Sequence, residues 1–275
     1  MAEVHASADS EVKLTDPARE IVQLLNGLRQ GETHLPGGEF LGQHFDVEPW
    51  TPDFYRILTA IIERIDELRS LVRLVQIDDD HQSDLLAAID EIQLAFSHSG
   101  FAHPWVNFGL NQISQTNIAL LRGLSPPLRQ VFSYRRISDD ERIELIDMVA
   151  QLSSWLKERQ LSEQDFLREA LLTGLASLEF RLSMFPFFGH RYTLQSLQDT
   201  VAAYMALERN FPDLKNNPDA EAVLNKTETV IKDVYAKLRS AKELWEISDW
   251  LLKVYGATTL AITTARPVIA LLTGP

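Results

Sequence analysis

The sequence predicts an all-α protein, a bundle of about eight to ten helices with a long C-terminal helix and no substantial sheet. Apolar residues recur at alternating steps of three and four along several segments, which is the spacing of one buried helix face. Side chains that cap helix N-termini stand before most of these segments. No segment alternates apolar and polar residues with the period of two that is typical of a β-strand, so the sequence predicts no sheet. We therefore expect the 275-residue chain to bury its hydrophobic residues, 45% of the total, between helices.

The first predicted helix covers residues 16–29. Asp16 is a favourable N-cap residue, and Pro17 is favoured at the first helical position because its missing N–H needs no partner there. Residues 30–50 contain four Gly and are predicted to be a long ordered loop.

The next two helices follow that loop. Thr51 before Pro52 begins the second helix by the same capping chemistry. Its apolar residues form the seam of a packed helix, and they are Phe54, Leu58, Ile61, Ile65, Leu68, Val72 and Val75. The acidic triplet 78–80 caps a third helix that ends near Gly100, since carboxylates are stabilised at the positive end of a helix.

Helices are also predicted along most of the second half. One covers residues 104–123, and Ser125 with the two prolines after it begins a short one. Ser138 and Glu141 have the spacing of a capping box, which predicts a helix from there to about residue 160. Further helices are expected over 162–184 and 194–210, and the long C-terminal helix over 219–255.

The start of the chain is predicted to be a flexible tail, residues 1–15. It is polar and has no apolar stretch of the kind found in a secretory signal. Residues 16–275 are predicted to form a single helical domain, in which a sub-division near 124–138 is left open. We expect a cytoplasmic protein, because no uninterrupted apolar stretch of about 18 residues occurs.

Charge narrows the expected partners. The formal net charge is −13, and residues 1–100 hold 19 Asp and Glu against 7 Lys and Arg. Such a surface repels a phosphate backbone, so we expect no nucleic-acid partner, whereas a basic protein partner would be attracted. The densest group of arginines encloses the acidic residues 139–141 and is predicted to be an ordinary solvated surface; it comprises Arg122, Arg129, Arg135, Arg136 and Arg142.

An aromatic-rich loop over residues 184–192 is the first candidate for a partner or membrane contact. Its candidate residues are Phe185, Phe187, Phe188, His190, Arg191 and Tyr192. Large aromatic side chains and arginine are typical of binding hot spots, and a cation beside aromatic faces can hold a ligand. In the alternative, the three phenylalanines close the end of the bundle while Pro186 and Gly189 shape a turn.

The apolar segment 254–275 is the second candidate. Ala257, Ala261 and Ala265 follow one another at steps of four, and small residues at this spacing let two helix backbones approach closely. Arg266 interrupts the apolar run and disfavours a membrane-spanning helix. We therefore expect a helix packed within the protein or against a second copy. A segment that enters a membrane or another subunit after a trigger is the alternative.

Motifs for catalysis, cofactors and metals give nothing to assign. The chain has no Cys, no phosphate-binding loop, no Gly-rich dinucleotide turn and no Ser nucleophile elbow. Its seven His lack the spacing of a helical metal pair. We therefore predict no catalytic residue, no cofactor and no metal.

The expected function is that of a non-enzymatic helical interaction protein. Its specialised form is an acidic inhibitor or immunity-type protein that binds a basic partner, and self-association is the other expected partnership. One alternative is a membrane-active helical effector that uses residues 254–275, although membrane contact is the less favoured expectation. Another is an enzyme whose site is assembled from scattered residues of the bundle.

Overall fold

The computed structural model describes residues 13–31, 33–159, 165–210 and 218–238. Within these ranges the chain forms eleven α-helices and one two-stranded sheet, which confirms the all-α class. The helices are α1 (Pro17–Arg29), α2 (Gly37–Phe45), α3 (Pro52–Val72), α4 (Asp79–Leu94), α5 (His98–Ala102), α6 (Gly109–Gln112), α7 (Gln115–Val131), α8 (Asp139–Lys157), α9 (Asp165–Ser183), α10 (Phe185–Asn210) and α11 (Pro218–Leu238). The strands are β1 (Leu14–Thr15) and β2 (Tyr134–Arg135), which pair antiparallel.

Four helices of the first half surround one hydrophobic core. α1 packs on α7, α7 on α4, α4 on α3 and α3 on α1, so the four helices close a ring. Helix α2 packs on α3 and α5, and α6 lies against α4. The largest side chains of this first core are fully buried and include Phe45, Phe54, Ile65 and Trp105.

The last four helices close a second ring around a separate core. α9 packs between α8 and α10, and α11 packs on both α10 and α8. Leucines dominate this second core, among them Leu145, Leu152, Leu171 and Leu178. The fold therefore consists of two four-helix rings, each amphipathic helix turning its apolar stripe toward its own core.

The two rings are joined at the start of α10, which contacts α1 and α3 of the first ring. Its residue Phe188 is buried in the first core. The sheet adds a second connection, because β1 precedes α1 and β2 lies between α7 and α8. Apart from Phe188, the residues of the first core end at Leu128 and those of the second core begin at Ile137. The single-domain organisation stays a prediction.

The predicted helix starts are confirmed at four caps. The side chains of Asp16, Thr51 and Asp78 each accept a hydrogen bond from the first turn of the helix they precede. Ser138 and Glu141 form the complete capping box of α8. The predicted seam is also confirmed, since all seven of its apolar side chains are buried, six of them in α3 and Val75 in the turn after it.

Several predicted boundaries are wrong, among them the end of the third helix, which lies at Leu94 and not near Gly100. The predicted loop 30–50 contains α2, whose small glycines pack under Trp50 and Pro49. The predicted helix 104–123 is interrupted, because Ser114 caps a new helix, α7. Pro126 and Pro127 lie inside α7 rather than beginning a helix.

Proline is tolerated inside α7 for a physical reason. It removes a helical hydrogen bond to the carbonyl four residues earlier. Those carbonyls belong to Arg122 and Gly123, which are exposed, so solvent can hydrate them. The eleven helices of the described ranges exceed the predicted eight to ten because α2, α5 and α6 are short, with nine, five and four residues, and are not predicted as separate helices.

Both ends of the chain lie mostly outside the described residues. The predicted tail 1–15 is described from residue 13, and its end differs from the prediction because Leu14 and Thr15 form β1. The predicted helix 219–255 is described as far as Leu238. No helix of the described part is long and apolar enough to cross a membrane.

Candidate functional site

The aromatic-rich segment 184–192 is helical rather than a loop. α10 begins at Phe185, directly after α9, and its first turn ends at Gly189, where the backbone has φ +69° and ψ −178°. The helix then resumes toward Asn210. Glycine is the one residue type that adopts this backbone conformation without strain, so the glycine at position 189 permits the kink of α10.

The three phenylalanines of the segment lie against the two cores. Phe188 is buried in the first core, and the ring of Phe187 meets Phe45 edge-on at a centroid distance of 4.8 Å. Phe185 packs on the second core. The first turn of α10 therefore places phenylalanine side chains between the two groups of helices. Contact of this segment with a partner or a membrane stays a prediction.

The remaining candidate residues of the segment face the first ring. His190 is buried and stacks on Tyr134, with ring centroids 4.3 Å apart. The exposed Arg191 pairs with Glu67 of α3, and the Tyr192 hydroxyl donates to Glu63 of the same helix. These two contacts hold the resumed part of α10 along α3.

A buried ion pair lies at the centre of the connection between the rings. The Arg64 guanidinium of α3 is 3.0 Å from the Glu20 carboxylate of α1, and their side chains are only 7% and 13% exposed. Arg64 also donates to the carbonyl oxygens of Pro186 at 3.1 Å and Phe187 at 2.6 Å. Because the kink at Gly189 breaks the regular helix, these carbonyls need such donors, and Arg64 supplies them.

Gly189 lies directly against this ion pair. A Cβ atom at that position would lie 2.6 Å from both Arg64 Cζ and Glu20 Oε2. The His190 backbone N–H donates to the same Glu20 oxygen at 3.4 Å. Any larger residue would therefore displace the ion pair as well as strain the backbone. We call Glu20, Arg64, Tyr134, Gly189 and His190 the junction cluster.

Burial shifts the pKa of two groups here. Burial, with the nearby Glu20 carboxylate second, raises the pKa of the Tyr134 phenol well above its ordinary value, so the phenol is neutral at physiological pH. Burial lowers the pKa of His44, which lies in α2 beside Phe187, so its imidazole is uncharged at neutral pH.

Two cavities flank the ion pair, and Glu20 and Arg64 line both of them. The first, which we call the His44 cavity, has a volume of about 380 Å³ and also reaches Arg136 and Phe187. The second, of about 640 Å³, opens between α3 and the turn at Tyr134. A third, open groove of about 940 Å³ runs between α3 and α9.

A further feature is the exposed acidic face on α3 and α4, which we define by Asp66, Asp79, Asp80, Asp84 and Asp90. Asp66 and Asp90 share one cation, Arg69, at 3.2 and 2.5 Å. The other three carboxylates are exposed and lie within 4 Å of no cation in the described part of the chain. Three carboxylates of this face are therefore neutralised by no cationic side chain of the described ranges.

The arginine group predicted to be an ordinary surface is largely paired. Arg129 contacts the buried Asp16 at 3.0 Å, Arg135 pairs with Glu141, and Arg142 lies 3.4 Å from Asp139. Nucleic-acid binding is not tested by these pairs, and its absence stays a prediction.

Two other predictions concern the C-terminal segment and a metal site. The packing row Ala257, Ala261 and Ala265 and the whole segment 254–275 lie outside the described residues. Within the described ranges, no three His, Asp or Glu side chains are grouped so that they could hold a metal ion.

Sequence reasoning missed the junction cluster, although one signal pointed to it. Arg64 lies on the apolar stripe of α3, three residues after Ile61 and four before Leu68. A charged residue in such a stripe requires a buried partner. Glu20 carries no comparable signal, because it lies beside the buried stripe of α1 rather than within it.

Comparison of the chain with protein-family models, with curated proteins and with solved structures finds no match.

Proposed function

We propose that the protein is a non-enzymatic interaction protein that binds a basic partner through the acidic face. The observation that carries this proposal is the exposed group of Asp79, Asp80 and Asp84 on α4, which has no cation partner among the described residues. Exposed like charges of this density repel one another, and a cationic surface relieves that repulsion on binding.

The local charge balance supports a basic partner. Residues 63–91 contain nine carboxylates and three arginines. Arg64 is buried against Glu20, and Arg69 is held between Asp66 and Asp90, which leaves Arg73 as the remaining cation of this stretch. The field outside α4 is therefore strongly negative and would speed encounter with a positively charged protein.

Exposed apolar side chains border the acidic face. Leu74, in the turn before α4, is 67% exposed, and Leu94, at the end of α4, is 49% exposed. Leu94 follows Asp90 by four residues and so lies on the same side of the helix. Apolar contacts next to charged ones are the usual composition of a specific protein interface.

The specialised form of this proposal is an inhibitor or immunity-type protein. In that role the acidic face would cover a cationic surface that the partner needs for its own activity. Helices α3 and α4 suit the role, because their packed seam holds the carboxylates in fixed positions and little ordering is needed on binding.

The test measures binding of a fluorescently labelled oligolysine peptide by anisotropy in about 0.15 M salt. The variant Asp79→Asn/Asp80→Asn/Asp84→Asn removes three charges from the acidic face and keeps the Asp78 cap. The control Asp140→Asn/Asp147→Asn/Glu158→Gln removes three exposed charges, two from α8 and one from the residue that follows its last turn. We expect the α4 variant to lose about tenfold in affinity, equal to about 1.4 kcal/mol, and the control less than about twofold.

Equal losses in both variants would show that the peptide senses only net charge and would refute binding at this face. Absence of wild-type binding in the same salt would refute a basic partner. Circular dichroism of each variant checks that the helices are retained.

A further inference from the structure

The His44 cavity carries cationic side chains in a strongly acidic protein. Its lining includes Arg64, Arg136 and Arg142 but only two carboxylates, Glu20 and Asp139, while the whole chain has a formal net charge of −13. A local excess of arginine against this background indicates a place that attracts an anion.

The arginines of this cavity differ in how far they are neutralised. Arg64 is paired with Glu20 at 3.0 Å. Arg142 lies 3.4 Å from Asp139, whose side chain is 90% exposed, so this ion pair is weak, and it also donates to the Ser183 carbonyl oxygen at 3.3 Å. Arg136 is exposed and makes no ion pair with any carboxylate in the described ranges. The cavity therefore presents one free guanidinium and a second that is loosely held.

The interior of the cavity is mostly apolar. Leu24, Ile137 and Phe187 contribute to its walls. Gly27 of α1 leaves room there, since a Cβ atom at this position would meet only His44, at 3.7 Å. The His44 imidazole is neutral, so it adds a polar contact and no charge.

A buried hydroxyl group also borders the cavity. Thr15 is 3% exposed, and its Oγ1 finds no hydrogen-bond partner among the described residues. A buried hydroxyl without a partner is unfavourable, and a polar group entering the cavity would supply one. This observation is independent of the arginines and points to the same space.

We infer that the His44 cavity binds a small amphipathic carboxylate, whose carboxylate group pairs with Arg136 and Arg142 while its apolar body packs against Leu24, Ile137 and Phe187. Guanidinium groups bind carboxylates with two parallel hydrogen bonds, which suits two arginines at one mouth. The single excess positive charge of the lining matches one negative charge. The volume of about 380 Å³ is in the range of small-molecule sites.

The test uses octanoate as the probe and isothermal titration calorimetry with the full chain. We expect octanoate to bind, and both acetate and octan-1-ol to bind at least about tenfold more weakly, because each lacks one half of the recognised chemistry. Equal binding of octan-1-ol would overturn the role of the arginines. Binding of inorganic phosphate without octanoate would overturn the amphipathic ligand and indicate a plain anion site.

Two variants locate the probe. Arg136→Gln should weaken octanoate binding about tenfold. Its matched control is Arg122→Gln, since Arg122 is an exposed arginine of α7 that makes no ion pair within the described ranges. Gly27→Leu keeps every charge and fills the cavity, so octanoate binding should be lost while the helical circular dichroism spectrum is kept. Unchanged octanoate binding in Arg136→Gln would overturn the site, whatever the outcome for the acidic face.

Discussion

The Arg64 guanidinium and the Glu20 carboxylate lie 3.0 Å apart, buried between two cavities and between the two rings of helices. Arg64 extends this contact to the first turn of α10 through two carbonyl oxygens. One side chain thus holds three helices together, α1, α3 and α10. Removing it leaves the buried Glu20 carboxylate without its counter-charge and the two carbonyl groups without this donor.

The variant Arg64→Met should destabilise the protein by about 3–5 kcal/mol, because it strands the charge of Glu20. Arg56→Met is the matched control, since Arg56 is 67% exposed and pairs only with the half-exposed Asp53. That change should cost at most about 1 kcal/mol. Urea unfolding followed by circular dichroism measures both, and similar losses in the two variants would contradict the structural role of Arg64.

The double variant Glu20→Gln/Arg64→Met should lose less stability than the two single variants added together. Once the arginine is gone, neutralising Glu20 removes the stranded charge. A coupling free energy of about 0.5–3 kcal/mol is typical for residues in direct contact. Strict additivity in the same urea experiment would show that the two charges do not interact.

Gly189→Ala and Gly27→Ala should change stability in opposite directions. At Gly189 the backbone has φ +69°, and the new Cβ would meet Arg64 and Glu20 at 2.6 Å, so a loss of about 1–3 kcal/mol is expected from the backbone alone. Gly27 lies inside α1 with only His44 nearby, at 3.7 Å, so alanine should stabilise the helix by about 0.5–1 kcal/mol. Melting temperatures that move in the same direction would contradict this assignment.

Ile65→Ala should cost about 2–5 kcal/mol, because Ile65 is fully buried in the seam of α3. The same substitution at Ile143, which is 52% exposed on α8, should change stability by no more than about 0.5 kcal/mol. Urea unfolding distinguishes the two. A small effect at Ile65 would mean that this face of α3 is not core.

The buried Tyr134 predicts a loss of stability at alkaline pH. In the unfolded chain a tyrosine ionises near pH 10, whereas burial and Glu20 raise the pKa of Tyr134 in the folded state. Above pH 10 the unfolded chain gives up a proton that the folded protein keeps. The free energy of unfolding is therefore unaffected by the ionisation of Tyr134 below that pH and falls as the pH rises above it. The slope is about 1.4 kcal/mol per pH unit.

Tyr134→Phe removes this term. Between about pH 9 and pH 11 its free energy of unfolding should fall by about 1.4 kcal/mol less than that of the wild type. Comparing the two falls, rather than the absolute values, cancels the pH-independent contacts of the hydroxyl group that the variant also loses. Identical falls in urea unfolding would contradict the raised pKa.

The helices could largely be predicted from sequence, because their signals are local. Capping residues such as Ser138 and apolar steps of three and four, as along α3, act within one or two turns. Short helices such as α2 escaped prediction, because α2 has only nine residues and three of them are glycines, which disfavour a helix. Tertiary packing of those glycines under Trp50 and Pro49 decides their conformation instead.

The junction cluster could not be assembled from sequence for a different reason. Its members come from positions 20, 64, 134, 189 and 190, and only the ring-to-ring packing brings them together. The segment 184–192 was recognised by its composition, but composition does not show which side chain turns inward. The buried sides of Phe188 and His190 follow from the kink at Gly189, whose φ of +69° a sequence pattern does not reveal.

The burial of Phe188 in the first core bears on how the chain folds during synthesis. Every other member of that core lies at or before Leu128, so the core is completed by a residue 60 positions later. At about 5–20 residues per second, the ribosome needs roughly 3–12 s to cover that interval. The first ring must therefore wait, with an unfilled aromatic position and with Arg64 lacking its two carbonyl acceptors, until the start of α10 emerges. Vectorial folding of this protein should thus become cooperative only once residue 189 has left the ribosome.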